Sequence, residues 1–302
     1  MSRRLRLAAA LMRWLARPAL ARTRTPEQAA ASFERWARLL LRPPPDTRAI
    51  PRRLGHVPCH WIAAGPVTEG RVLLWFHGGA YLSGSATTHR AMLARLAQLS
   101  RTEVVAPDYR LLQQAPFPAA FEDAQAAWDG LRTLGYRPAQ IALGGDSAGG
   151  GLALGLLAAR LARGERPAAL LAFSPWCDLT LSGESLVVHG PHDALIPVAR
   201  IPEVVERYLC GAEASDPRAS PLFARFPHPP PVFIAVGSGE ALRSDAERMA
   251  GRLREEGGLV RLLVQAGAPH DWPMLDGWVP EARATLREAA AFLQAAFERT
   301  SR

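Results

Sequence analysis

The sequence predicts an α/β fold with a mostly parallel central sheet flanked by helices on both faces. Three observations carry this expectation. Continuous apolar runs recur at Val72–Phe76, Ile141–Leu143, Leu170–Phe173 and Val232–Val236, as needed by strands covered on both sides. Longer stretches with helical spacing separate them, and strands alternating with helices imply parallel crossovers. With 302 residues, 48% of them hydrophobic, the chain has enough apolar material for one large core.

Residues 1 to about 50 read as a helical segment. Leu5, Ala8, Leu11, Met12 and Leu15 share one face, Phe33, Trp36, Ala37 and Leu40 share another, and Pro43-Pro44-Pro45 ends the region. Such faces ordinarily pack on their own domain, although a charged arm of this kind also suits a membrane surface. The core is expected from 51 to 302. Its strand candidates begin with His56–Ala63 and the buried run Val72–Phe76. A helix over Thr87–Leu99 follows, then a strand over Glu103–Pro107 and a helix from Phe117 through Leu134. Ile141–Leu143 starts the next strand, and Leu152, Leu156, Leu157 and Leu161 place one stripe on the helix after it.

Residues 179 to about 225 break the rhythm after Leu170–Phe173. Turn formers and short helical stretches around Pro197–Tyr208 read as an insertion above the sheet. The alternation resumes with a strand at Val232–Val236, a helix over Ser244–Glu256 and a strand at Val260–Val264. A C-terminal amphipathic helix from Pro280 to about Phe297 completes it, and no internal repeat is visible.

The formal net charge is +8, the pI is about 10.5, and every basic residue is arginine. The arginines are scattered without an aromatic-interleaved stripe or a nucleic-acid motif, so no nucleic-acid partner is expected. Cys59, Cys177 and Cys210 are odd in number and far apart, which implies neither a disulfide framework nor a zinc site and favours a cytoplasmic location. Arg3, Arg4 and Arg6 precede the apolar stretch Leu7–Met12, but Arg13 and Arg17 interrupt it and no cleavage site follows. No run approaches the ~20 apolar residues of a membrane span, so no stable membrane insertion is expected.

The chemistry concentrates at Gly145-Asp-Ser-Ala-Gly149, a G-x-S-x-G pattern between an apolar strand and a helix. In that context the pattern is a nucleophile elbow, a sharp strand-to-helix corner that exposes the hydroxyl of Ser147. A serine needs an adjacent base and an orienting carboxylate. His270 is the candidate base, because it alone of the later histidines lies in a loop after the final strand. Glu240, four residues beyond Val236, is the candidate acid; Asp245 competes but falls inside the following helix, and Asp271 reads as a surface residue. Upstream, His77-Gly78-Gly79 follows a buried strand, so the N–H groups of Gly78 and Gly79, with that of Ala148, are candidate oxyanion donors. No cluster has metal-ligand spacing, so no metal is expected.

His77-Gly-Gly-Ala-Tyr81, Tyr109-Arg-Leu111, Phe117-Pro-Ala-Ala120, Gly145-Asp-Ser-Ala-Gly-Gly150, Ser174-Pro-Trp176 with Asp178, and His270 occur in an order and spacing that resembles the hormone-sensitive lipase family of bacterial esterases. The resemblance spans roughly residues 54 to 298. It implies an α/β-hydrolase fold, with a helical cap made from the N-terminal helices and the 179–225 insertion. It also implies hydrolysis of short- to medium-chain carboxylic esters without a cofactor. Ser147 would be nucleophile, His270 base, and Gly78, Gly79 and Ala148 the oxyanion donors. Two departures stand out. Leu112-Gln113-Gln114-Ala115 replaces the usual Ala-Pro-Glu-His, and Glu240 resembles a glutamate-bearing subgroup whose members include hydrolases of terpenoid lactones. A lactone substrate therefore stays open, as do an amidase on the same triad, a ligand-binding protein on the same fold, and a homodimer.

Overall fold

The computed structural model describes residues 1–300. The chain begins with α1 (Arg3–Leu11), a π-helical stretch (Met12–Ala16) that continues into α2 (Arg17–Ala21), and α3 (Pro26–Leu40). Next come β1 (Thr47–Leu54), β2 (Val57–Ala64), β3 (Val72–Phe76), α4 (Ala86–Ser100), β4 (Glu103–Pro107), α5 (Ala119–Thr133) and β5 (Ile141–Asp146). The second half holds α6 (Ser147–Leu161), β6 (Leu170–Phe173), α7 (Glu184–Val188), α8 (Ile201–Leu209), β7 (Val232–Gly237), α9 (Arg243–Glu255), β8 (Val260–Gln265) and α10 (Pro280–Thr300).

The sheet order is β1-β2-β4-β3-β5-β6-β7-β8, antiparallel at the β1–β2 and β2–β4 pairs and parallel elsewhere. Side-chain alternation along the strands divides the core into two layers. Val72, Leu74 and Phe76 face a layer filled from α5, α6 and α9, with Trp128, Leu152, Leu156 and Met249. Leu73 and Trp75 face the opposite layer, filled from α4 and α10 by Leu93, Leu96, Leu286 and Leu293. Both faces of β3 are therefore dry, which is why its sequence carries no polar residue.

The helical reading of residues 1 to about 50 is corrected at its end. α3 stops at Leu40, and Thr47 already opens β1. β1 reads Thr-Arg-Ala-Ile-Pro-Arg-Arg-Leu because it is an exposed edge paired only with β2, a place where proline and arginine are tolerated. The expected packing of both helical faces on the domain is also corrected in part. Leu5 is fully buried and Ala8 packs against the core, whereas Leu11, Leu15, Trp36 and Leu40 are exposed.

Between β6 and β7, α7 and α8 are joined by turns, and among the described residues no strand intervenes. This segment is tied to the N-terminal helices by arginine. Arg13 and Arg17 donate to the carbonyls of residues 190 to 192, and Arg200 donates to the Ala21 and Thr23 carbonyls at 2.9 and 3.0 Å. Cys59 and Cys177 are buried, while Cys210 is exposed as the left-handed C-cap of α8.

Candidate active site

β5 ends at Asp146 and α6 begins at Ser147, whose φ of 51° marks a left-handed corner that an L-residue adopts at a cost. The corner packs tightly against β3. A Cβ on Gly149 would lie 2.1 Å from the Phe76 carbonyl oxygen and 2.4 Å from that of His77, so only glycine fits where α6 crosses the end of that strand. Ser147 Oγ is thereby held beside the loop that follows β8.

From that loop, His270 places Nε2 2.9 Å from Ser147 Oγ and Nδ1 2.7 Å from Glu240 Oε2. Glu240 sits in the turn after β7, and its other oxygen accepts from Ser174 Oγ at 2.8 Å and the Gly237 N–H at 2.5 Å. Ser147, Glu240 and His270, separated by 93 and 30 positions in the chain, thus form one hydrogen-bonded row. All three are buried. Such a row can pass a proton from a hydroxyl to an imidazole whose tautomer is fixed by a carboxylate.

The expected oxyanion donors divide. The Gly78 N–H donates to Asp146 Oδ2 at 2.8 Å and is occupied, contrary to its expected role. Gly79 has φ 117°, open only to glycine, and it turns the chain so that Leu82 and Ser83 N–H groups return to its carbonyl. Ala148 is the second residue of α6, where an N–H has no carbonyl one helical turn behind it. Gly79 and Ala148 remain the candidate backbone donors for a developing negative charge.

Asp271 is buried against the base, not on the surface as its sequence position suggested. Its Oδ2 lies 3.1 Å from His270 Nε2, its backbone has φ 53°, and its N–H reaches Ser174 Oγ at 3.3 Å. Burial pushes the Asp271 carboxyl up to about 7. Burial alone would depress His270, but the carboxylates of Asp271 and Glu240 outweigh it and hold the imidazole well above its ordinary value. Asp146 adds its own charge to the environment of Asp271. Asp271→Asn removes a negative charge beside Nε2, so the imidazole should lose its proton more readily and the base form should persist to lower pH. The acid limb of the kcat/KM profile should move down by about one pH unit or more, measured on p-nitrophenyl butyrate. An unmoved limb would show that Asp271 does not govern the base.

Asp146 forms a second buried cluster under the corner. It accepts from Trp75 Nε1 at 2.8 Å, the Gly78 N–H at 2.8 Å and His89 Nε2 at 2.9 Å. Although burial opposes it, the His89 charge and these donors lower the Asp146 carboxyl, and Asp146 in turn raises His89. His77, next to His89 and stacked on Tyr109 with ring centroids 4.3 Å apart, is pushed down to about 4 by burial and by His89. Tyr109 donates from its hydroxyl to the His77 carbonyl at 2.7 Å, fixing the loop from the other side.

Two more buried carboxylates fix backbone near the site: Asp193, which the sequence reading missed, and Asp245, the competitor acid that its helical position set aside. Asp193 Oδ2 accepts the N–H of Ala241, the neighbour of Glu240, at 2.8 Å. Asp245 lies in the first turn of α9 and accepts the N–H groups of Cys177 and Asp178 at 2.8 and 3.0 Å, with no reach to His270. Trp272 is core, donating to Thr285 under α10, and Trp278 lies on the surface with its N–H on the Leu40 carbonyl. A surface groove of about 710 Å³ along β1 and β2 shares no residue with the site.

A sequence profile for the alpha/beta hydrolase fold matches residues 73–274, a span that contains every residue of this cluster. An acetyl-hydrolase of Streptomyces hygroscopicus is 36% identical over 265 residues, covering 84% of each chain. An esterase of Acinetobacter venetianus is 33% identical over 250 residues, covering 82% of each. Among solved structures, a crystal structure of an esterase from the bacterial hormone-sensitive lipase family superposes with a TM-score of 0.92 at 33% identity, over 98% of this chain and 99% of the other. The chain belongs to the hormone-sensitive lipase family of α/β hydrolases.

Proposed function

We propose that this protein hydrolyses carboxylic esters of short to medium acyl chain through an acyl-enzyme on Ser147. The observation that carries the reading is the row Ser147 Oγ, His270 Nε2, His270 Nδ1, Glu240 Oε2, with contacts of 2.9 and 2.7 Å. Relatives named as esterase and acetyl-hydrolase support the substrate class. Ser147 Oγ attacks the ester carbonyl carbon as its proton passes to His270 Nε2. The carbonyl oxygen becomes an oxyanion facing the Gly79 and Ala148 N–H groups. Glu240 accepts from Nδ1–H and stabilises the imidazolium. On collapse the carbon–oxygen bond to the alcohol breaks, His270 returns its proton to the departing oxygen, and water then repeats the sequence on the acyl-enzyme.

In this reading the N-terminal helices and the segment between β6 and β7 act together as a cap, supported by the arginine ties between them. We place the protein in the cytoplasm on its three unpaired cysteines. Among the described residues, no helix is long and apolar enough to cross a membrane. The test is a fluorophosphonate probe: one equivalent should attach to Ser147 and abolish turnover of p-nitrophenyl butyrate. Failure of turnover together with failure of labelling would overturn the reading.

A further inference from the structure

We propose that the N-terminal helical arm docks on the surface of a bilayer rich in anionic phospholipid. The first observation is charge. Residues 1–42 hold ten arginines against two glutamates, a net +8 that equals the net charge of the whole chain, so residues 43–302 are balanced. Although arginines occur throughout the sequence, their uncompensated charge sits in this arm.

The second observation is an apolar stripe on the same arm that no other part of the described residues covers. Leu7, Leu11, Trp14 and Leu15 are 50–75% exposed, and their spacing of i, i+4, i+7 and i+8 puts them along one helical face. Arg3, Arg4, Arg6 and Arg13 are exposed beside it. Trp36, Leu39 and Leu40 repeat the combination on α3, again with exposed Arg35 and Arg38. Leucine and tryptophan at solvent, bordered by guanidinium groups, form the two contacts an in-plane helix makes with a membrane: apolar side chains among acyl chains and cations among phosphates.

The arm is anchored, so the stripe is presented rather than folded away. Leu5 is buried in the core, and Ser2 donates to Glu281 through its N–H at 2.5 Å and its hydroxyl at 2.8 Å. Arg13 and Arg17 grip the carbonyls of residues 190 to 192, and the next residue, Asp193, holds the Ala241 N–H beside Glu240. Val187 and Val188, just ahead of that loop, are exposed as well. A bilayer seated on the stripe would therefore lie one loop away from the catalytic acid.

Flotation of the full chain with large unilamellar vesicles tests this. Wild-type protein should float with phosphatidylglycerol vesicles at low ionic strength, lose binding as salt is raised, and remain unbound with pure phosphatidylcholine. The triple substitution Leu11→Ser, Trp14→Ser, Leu15→Ser should weaken the partition at least roughly tenfold. The set Arg3→Ser, Arg4→Ser, Arg6→Ser should do the same. Both should keep wild-type turnover of p-nitrophenyl butyrate in vesicle-free buffer and an unchanged melting temperature. Absence of flotation, or equal flotation of variant and wild type, would overturn the proposal. So would a triple variant that changes only the molecular mass in solution, which would make the stripe a contact between copies, or binding to an RNA oligonucleotide without vesicle partition. Flotation is read without turnover, so docking and ester chemistry stand or fall separately.

Discussion

Ser147→Ala is expected to remove nearly all turnover of p-nitrophenyl butyrate, lowering kcat by roughly 10⁴- to 10⁶-fold, while the melting temperature stays close to wild type. The hydroxyl makes one hydrogen bond, to His270, and no other group depends on it for position. The strained corner is untouched, since alanine carries the same backbone demand at φ 51°. Activity and stability should separate cleanly in a paired assay. A variant with substantial residual turnover would place the nucleophile elsewhere.

Asp146→Ala should produce the opposite profile, with stability failing first. Alanine strands the Trp75 indole N–H, the Gly78 N–H and the His89 imidazole in a site that water does not reach. Removing one partner of a buried ion pair costs about 3–5 kcal/mol, so thermal denaturation should begin roughly 10 °C lower. Turnover should fall even at temperatures where the variant is folded, because Gly78 precedes Gly79, a proposed oxyanion donor, and loses its anchor. An unchanged melting temperature would show that the Asp146 cluster does not hold the fold.

The same pair sets a pH window for wild-type stability. The Asp146 carboxyl is lowered in the fold, so its contribution is present above the unfolded value of about 4 and fades as acid approaches the folded one. His89 is raised, so its contribution is complete below about 6.5 and fades as pH rises through the folded value. Between those limits the cluster stabilises most.

The parallel strands were readable because burial on both faces leaves a plain mark. Val72–Phe76 and Val232–Val236 contain nothing but apolar residues, and each lies inside a strand of the sheet. β1 was not readable, because an exposed edge imposes no apolar pattern and Pro51 argues against a strand anywhere else. Of the site, Ser147 announces itself through glycines that its corner requires, and His270 and Glu240 follow from where strands end. Asp271 could not be placed this way. Whether a polar residue beside the base faces solvent or Nε2 depends on one backbone rotation at φ 53°, and nothing local encodes that choice. The N–H of Gly78 is a similar case, since only a carboxylate 68 positions later decides where it points. A carboxylate at the end of a dry strand still asks for buried partners, and Asp146 carried that signal.

The exposed cap of α8 offers a practical handle. Cys59 and Cys177 are enclosed, so a maleimide fluorophore would enter the native protein at Cys210 alone. That thiol ends the helix that begins just after Arg200, whose guanidinium holds the Ala21 and Thr23 carbonyls. A dye there would report, in a protein of native sequence, on whether the amino-terminal segment shifts when an acyl group occupies the nucleophile.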